Sequence, residues 1–275
     1  MGEYHEPRRC YLRQWVAIVA TKRHKKHKTM LRFVTNRRTR PASVGFCTLA
    51  VHEEYRRRAR LLVGDVPEVP WVVLTDEPRE FEGLGVRAVG HVPTGPMAID
   101  FVTRLPGTGN GRGGPAYHDK RFALQAALEE FETAIFVDAD TRVNSLPRLP
   151  VFRPGIAVTK DVNASIAEHL SRWGPHRRPL FEKLGVELTC DVGVIESARW
   201  CSEALFAITK DGNEGKFFEA WERGAEFLQG QGVFSGEGGV IGLAALCAGW
   251  MVDYKTMGRL ASGMRHEGGG PKVRG

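Results

Sequence analysis

Cysteine is scarce in this chain. Its 275 residues hold five, Cys10, Cys47, Cys190, Cys201 and Cys247, an odd and scattered set without a Cys-x-x-Cys pair. Neither a disulfide framework nor a zinc site is expected, and the thiols read as reduced. Long apolar runs are missing too. The only apolar run near the start, residues 15–20, is far shorter than the roughly 20 residues that cross a bilayer. Lys22 and Arg23 follow it where a signal peptide would carry a longer apolar core and a cleavage site, so no signal peptide or transmembrane segment is recognised and a cytoplasmic setting is expected. Residues 41–275 contain no internal repeat, low-complexity tract or Pro/Ser linker, and they read as one domain.

What the chain does have is an ordinary globular composition, 42% hydrophobic, 26% charged and 9% aromatic. Such a composition excludes a wholly disordered, collagenous or membrane-embedded protein. The net charge of +7 suggests an anionic partner. Its distribution narrows that suggestion. Residues 1–40 hold 12 Lys or Arg against Glu3 and Glu6, whereas residues 41–275 hold 27 against 30 acids. A basic, solvated N-terminal extension therefore precedes a mildly acidic body, and Met30 is an alternative start. A nucleic-acid-binding role would rest on that extension alone, because the body carries no RNA-binding signature or extended basic face.

From Ser43 onward the pattern is α/β. Residues 43–51 and 71–75 read as strands with a helix over 52–63 between them, and residues 86–92 read as a third strand. A glycine-rich loop, 107–114, leads into a helix over 119–132 in which Leu124, Ala127, Leu128 and Phe131 share one face. A strand at 134–137 ends in Asp138, Ala139 and Asp140. Beyond it the pattern predicts a strand at 156–160, an irregular stretch rich in Pro and His, and an apolar run at 192–195. Helices at 199–210 and 217–228, a loop at 230–239 and a buried helix at 240–248 complete the expected order.

Asp138 and Asp140 are the residues most suggestive of chemistry. Residues i and i+2 of an extended chain point the same way, so two carboxylates converge at the carboxyl end of a buried strand. Such a pair is tolerable with a hard divalent cation, Mn²⁺ or Mg²⁺, held between it and a diphosphate. In open α/β sheets that edge is also where ligands bind.

Residues 135–143, IFVDADTRV, with the preceding helix resemble the DxD segment of GT-A glycosyltransferases, most closely the glycogenin-like family eight. Residues 234–241, FSGEGGVI, are similar to that family's G-D-Q-G stretch, with Glu237 for the aspartate and Gly238 for the glutamine. Residues 265–272, RHEGGGPK, resemble its late H-x-x-G-x-x-K through His266, Gly269 and Lys272. The opening VGFCTLAVHEEY looks like its first strand and nucleotide-binding turn.

The resemblance implies a GT-A fold, a single Rossmann-like domain with a mixed, mostly parallel central sheet flanked by helices. It implies transfer of a hexose-type sugar from a nucleotide-diphosphate donor, UDP-linked, to a carbohydrate, lipid or protein acceptor, with retention. Asp138, Asp140 and His266 would hold the metal. Thr48, Val51, Tyr55, Asp76, Lys120, Arg121, Asp138 and Lys272 would bind the donor, with Lys120 and Arg121 competing for one position. Glu237 would act at the anomeric carbon as nucleophile, charge stabiliser or acceptor-orienting base. Asp191 stands where the family has an Asn-Ser-Gly run, and would contact acceptor or donor sugar.

A rival enzyme class comes from Gly109, Gly111 and Gly114, which fit the G-x-G-x-x-G outline of an NAD(P)-binding turn with an acid, Asp138, further on. Against it, Arg104, Leu105, Pro106 and Thr108 separate those glycines from any strand, and more than 60 residues of α/β pattern precede them, whereas a dinucleotide turn opens its fold.

Overall fold

The apolar run after Ser43 forms the first of a set of strands buried on both faces, as expected where helices cover a sheet on each side. The computed structural model describes residues 43–94, 115–159, 164–189, 191–233 and 235–267, all within the unit Thr39–Gly275. The chain runs β1 (Val44–Ala50), α1 (Glu53–Asp65), β2 (Trp71–Thr75) and β3 (Arg87–Gly90). It continues through a 3₁₀ turn (Pro115–Asp119) into α2 (Lys120–Glu130), β4 (Thr133–Val137), β5 (Thr141–Val143) and β6 (Gly155–Val158). Then come α3 (Ile166–Trp173), α4 (Arg178–Thr189), β7 (Leu205–Thr209), α5 (Glu214–Gly230), α6 (Glu237–Cys247), β8 (Val252–Asp253), α7 (Gly258–Ser262) and β9 (Met264–His266).

Seven strands form one sheet in the order β3-β2-β1-β4-β7-β6-β8. Only β7 runs antiparallel to its neighbours, so the sheet is mixed and mostly parallel. Alternation of side chains sorts the core onto two faces. Cys47, Val72, Leu74 and Phe136 face α2, α5 and α6, with Trp221 at the centre of that layer. Phe46, Val73, Ile135 and Val137 face α1 and α7 through Leu62, Val63, Met257 and Leu260.

The expected β-α-β start, the third strand, the helix before Thr133 and the strand ending at Asp138 all appear. The helix expected over 199–210 does not. Residues Leu205–Thr209 are instead β7, buried throughout and bonded antiparallel to both β4 and β6. Four apolar residues and a threonine, flanked by helix-tolerant residues, fit either pattern, and pairing on both sides decides for strand. The stretch expected to be irregular contains α3 and α4. Ser165 starts α3 with a capping box, its Oγ accepting from the Glu168 N–H while Glu168 accepts from the Ser165 N–H. The expected run at 192–195 becomes a short 3₁₀ turn (Val194–Glu196) after Gly193 in the left-handed region. The loop expected over 230–239 is shorter, because α6 begins at Glu237.

The glycines of α6 have a steric reason. Residues 199–201 lie against this helix, with the Cys201 N–H donating to the Gly238 carbonyl at 3.1 Å. A Cβ on Gly242 would overlap the Arg199 carbonyl oxygen, and one on Gly238 the Cys201 carbonyl oxygen. Both obstacles are backbone, so neither can yield by rotamer change. Gly242→Ala is expected to lower unfolding free energy by about 3 kcal/mol, read as a reduced urea midpoint. Gly215→Ala, in α5 with open space around it, should leave the midpoint unchanged or slightly higher.

Candidate active site

The carboxyl ends of β1, β2 and β4 lie along one edge of the sheet, since these strands are parallel neighbours. Asp138 leaves β4 there. Its N–H donates to the Ala204 carbonyl at 2.8 Å, and its own carbonyl accepts from the Thr141 N–H at 2.9 Å. Residues 138–140 are thus a turn and not an extension of the strand, and the turn, instead of strand pleating, aims the two carboxylates at a common point.

A second, two-stranded sheet brings in the distant residue. β5 leaves the turn and pairs antiparallel with β9, placing Thr141 opposite His266, while the Glu267 N–H donates to the Asp140 carbonyl at 2.8 Å. His266 Nδ1 lies 3.1 Å from Asp140 Oδ1. Asp138, Asp140 and His266 each offer a ligand atom within 4.8 Å of the others. Two hard carboxylate oxygens with one imidazole nitrogen suit Mn²⁺, or Mg²⁺ completed by water, so the residues present fit the metal that the DxD pattern implies.

Charges around this cluster are unevenly tied. Burial would raise the Asp140 carboxyl, but His266 and the Arg58 guanidinium outweigh it and hold it below the usual carboxylate range. The hydrogen bond to Asp140 correspondingly raises His266. Burial pushes Asp138 up despite the opposing pull of Lys120. Tyr55, half-buried on α1, has its hydroxyl raised by burial and by the nearby charges of Asp140 and Asp138.

Lys120 occupies the first position of α2 and is 3% exposed. Its ammonium lies 2.8 Å from Asp138 Oδ1 and 3.6 Å from Glu237 Oε1, and donates to the Glu203 carbonyl at 3.1 Å. Burial pulls its pKa down, and Asp138, Glu237 and Glu203 together more than reverse that. Glu237 begins α6, where the helix dipole favours a carboxylate, and its Oε2 accepts from the Gly236 N–H at 3.1 Å. One buried ammonium therefore connects the DxD turn with the carboxylate of the glycine-rich segment.

Of the two basic residues competing for the donor position, Lys120 meets the cluster and Arg121 does not. Arg121 Nη1 donates to the His118 carbonyl at 2.8 Å and lies 3.6 Å from Asp119. Thr48 is buried in β1, and its hydroxyl has no hydrogen-bond partner among the described residues. Val51 is buried just beyond β1. Asp76 follows β2, receives the His52 N–H at 3.2 Å and pairs with Arg56 at 2.8 Å. His52 joins β1 to α1 at φ 79 and ψ 144, a region other than the left-handed helix and one that residues with a Cβ seldom adopt.

Asp191 is exposed, and its N–H donates to Thr189 Oγ1 at 3.2 Å. No hydrogen bond or ion pair links it to the cluster among the described residues. The position beside the DxD turn is held by Glu203, whose pKa is pushed up to about 8 by burial and then by the charge of Glu237. Glu203 escaped sequence reasoning because residues 199–210 read as helix. Arg58 escaped as well, although it lies one turn after Tyr55 and its Nη1 is 3.7 Å from Asp140 Oδ2. Lys272, the Gly109-Gly111-Gly114 loop and the basic N-terminal extension lie outside the described residues. The turn between β1 and α1 contains no glycine. No helix among the described residues is long and apolar enough to cross a membrane.

No protein-family model matches this sequence, and neither does any curated protein. Among solved structures, the chain is similar to the apo form of WbbM, described as a bifunctional glycosyltransferase, at 11% identity with a TM-score of 0.44. That alignment covers 79% of this chain and 39% of the WbbM chain, so this chain spans about two fifths of its length. The apo form of mouse xyloside xylosyltransferase 1 is similar at 9% identity with a TM-score of 0.37, over 76% of this chain and 83% of that one.

Proposed function

We propose that residues 41–275 form a metal-dependent GT-A glycosyltransferase domain that takes a sugar from a nucleotide-diphosphate donor, UDP-linked, and transfers it with retention of configuration. The observation that carries this reading is the convergence of Asp138, Asp140 and His266, with ligand atoms within 4.8 Å, at the carboxyl edge of a mostly parallel sheet. A divalent site beside parallel strand ends, and next to a fixed ammonium, is an arrangement suited to a diphosphate.

In this reading a bound Mn²⁺ supplies Lewis acidity and a template for the diphosphate leaving group. Thr48, Val51, Tyr55 and Asp76, along the ends of β1, α1 and β2, form the donor's nucleotide side. The buried Thr48 hydroxyl, which has no hydrogen-bond partner among the described residues, would bond it. Lys120 keeps its charge in a buried position and is available to the leaving group as negative charge grows, with Lys272 in the same role. Glu237, fixed by the Gly236 N–H and by Lys120, presents a negative charge to the positive centre that develops at the anomeric carbon. Asp191 contacts the acceptor or donor sugar, and the buried Glu203 adds a second acid near Glu237. The acceptor is a carbohydrate, lipid or protein hydroxyl. The N-terminal extension, residues 1–40, lies outside this domain.

A thermal-shift panel of UDP-, GDP-, CDP- and dTDP-sugars with and without Mn²⁺ tests the reading. The expected result is stabilisation by UDP-linked donors that requires Mn²⁺. Stabilisation by NADH or NADPH, with none from any sugar nucleotide, would overturn it.

A further inference from the structure

The guanidinium of Arg58 stands beside the candidate metal site, at the Asp140 oxygen that His266 does not contact. Its Nε donates to Glu54 Oε1 at 2.7 Å, one helical turn back on α1, which fixes the side chain. Its Nη1 then faces Asp140 Oδ2 at 3.7 Å, beyond hydrogen-bond reach, while Asp140 Oδ1 faces His266. Among the described residues no hydrogen bond holds Nη2. Arg56 on the same helix reaches Asp76 at 2.8 Å, and Arg142 grips Asp65 through two nitrogens, at 2.9 and 2.6 Å, whereas the more exposed Arg60 and Arg223 stand 3.6 Å from Glu80 and Glu187. Arg58 is anchored at its stem and left open at its fork.

A fixed cation this close to a ligand oxygen opposes a bare divalent ion at Asp140, since like charges repel. A diphosphate reverses the balance, because its oxygens match the planar fork of a guanidinium and its charge neutralises both cations. We propose that Arg58 is a diphosphate-binding residue that makes metal and nucleotide diphosphate bind cooperatively, disfavouring the metal alone and favouring the pair. The inference rests on the glycosyltransferase reading of the site. The other charged or titratable groups facing the guanidinium are Glu54 on its own helix, Tyr55 beside it, and Asp138 and His266 across the turn.

The test is a Mn²⁺ titration followed by electron paramagnetic resonance, with and without UDP, on the full chain and on Arg58→Gln, Arg58→Lys and Arg57→Gln. Arg57 pairs with Glu54 on the exposed side of α1 and serves as the control. For Arg58→Gln, Mn²⁺ alone is expected to bind several-fold tighter, and UDP at saturating Mn²⁺ about tenfold weaker, so the two affinities move in opposite directions. Arg58→Lys should fall between, and Arg57→Gln should match the parent. Unchanged values in Arg58→Gln, or a parallel loss of both with a lowered melting temperature, would overturn the proposal. If the parent protein binds Mn²⁺ and UDP while Arg58→Gln is unaltered, only this inference fails. If the parent binds neither, the glycosyltransferase reading fails with it.

Discussion

Asp140→Ala is expected to abolish saturable Mn²⁺ binding and to lower sugar transfer by about 10²- to 10³-fold or more, the range seen when one preorganised electrostatic group is removed from an active site. The fold should survive. Asp140 is itself buried, but its carboxylate is bonded to a half-exposed imidazole and approached by a partly exposed guanidinium. Water can reach both groups when the carboxylate is gone, so the stability cost stays near the ~1 kcal/mol of a surface pair. Asp140→Asn, which preserves shape, should behave alike in binding and transfer. Equal transfer by parent and variant would remove Asp140 from the chemistry, and loss of circular dichroism in both variants would assign it to folding instead.

Lys120→Ala should be the most destabilising single change at the site. The ammonium it removes is shared by Asp138 and Glu237 and is itself buried. Removing one partner of a buried pair leaves uncompensated charge, which costs about 3–5 kcal/mol at neutral pH. For a domain of this size that corresponds to a fall in melting temperature of about 10 °C. The pH dependence has a definite sign. Burial already raises Asp138, and loss of Lys120 removes the main force opposing that rise. A carboxyl raised in the folded state is harmless below its unfolded pKa of about 4 and destabilises progressively as pH climbs through the folded value. The gap in melting temperature between parent and variant should therefore be widest near pH 8 and shrink toward pH 4. Lys120→Met, which fills the volume, should recover packing but retain this pH-dependent gap. A gap that is constant with pH would show that the lysine acts through packing and not charge.

The parts of the site visible in the sequence are those carried by local pattern. The apolar strand β4 ends at Asp138 because five buried residues precede it, and the motif residues stand immediately after it in the chain. His266 was legible only as a late motif. Its delivery to Asp140 depends on β5 pairing with β9, two three-residue strands too short to announce themselves. Lys120 against Arg121 could not be separated by sequence, because adjacent helical positions point about 100° apart and only docking of α2 decides which of the two buried cations meets the DxD turn. Glu203 was hidden by the wrong period assigned to residues 199–210. Leu205–Thr209 is a strand because β4 and β6 flank it, which is non-local information. Gly238, read as a departure from the family's glutamine, has a packing cause in the approach of the Cys201 carbonyl.

The most direct measurement is release of nucleoside diphosphate from UDP-sugars by the parent protein with Mn²⁺, repeated with excess EDTA. The account predicts release that depends on Mn²⁺, stops when EDTA is added and resumes when Mn²⁺ is restored. Release that continues unchanged in EDTA, or no release from any sugar nucleotide with Mn²⁺ and candidate acceptors supplied, would contradict it.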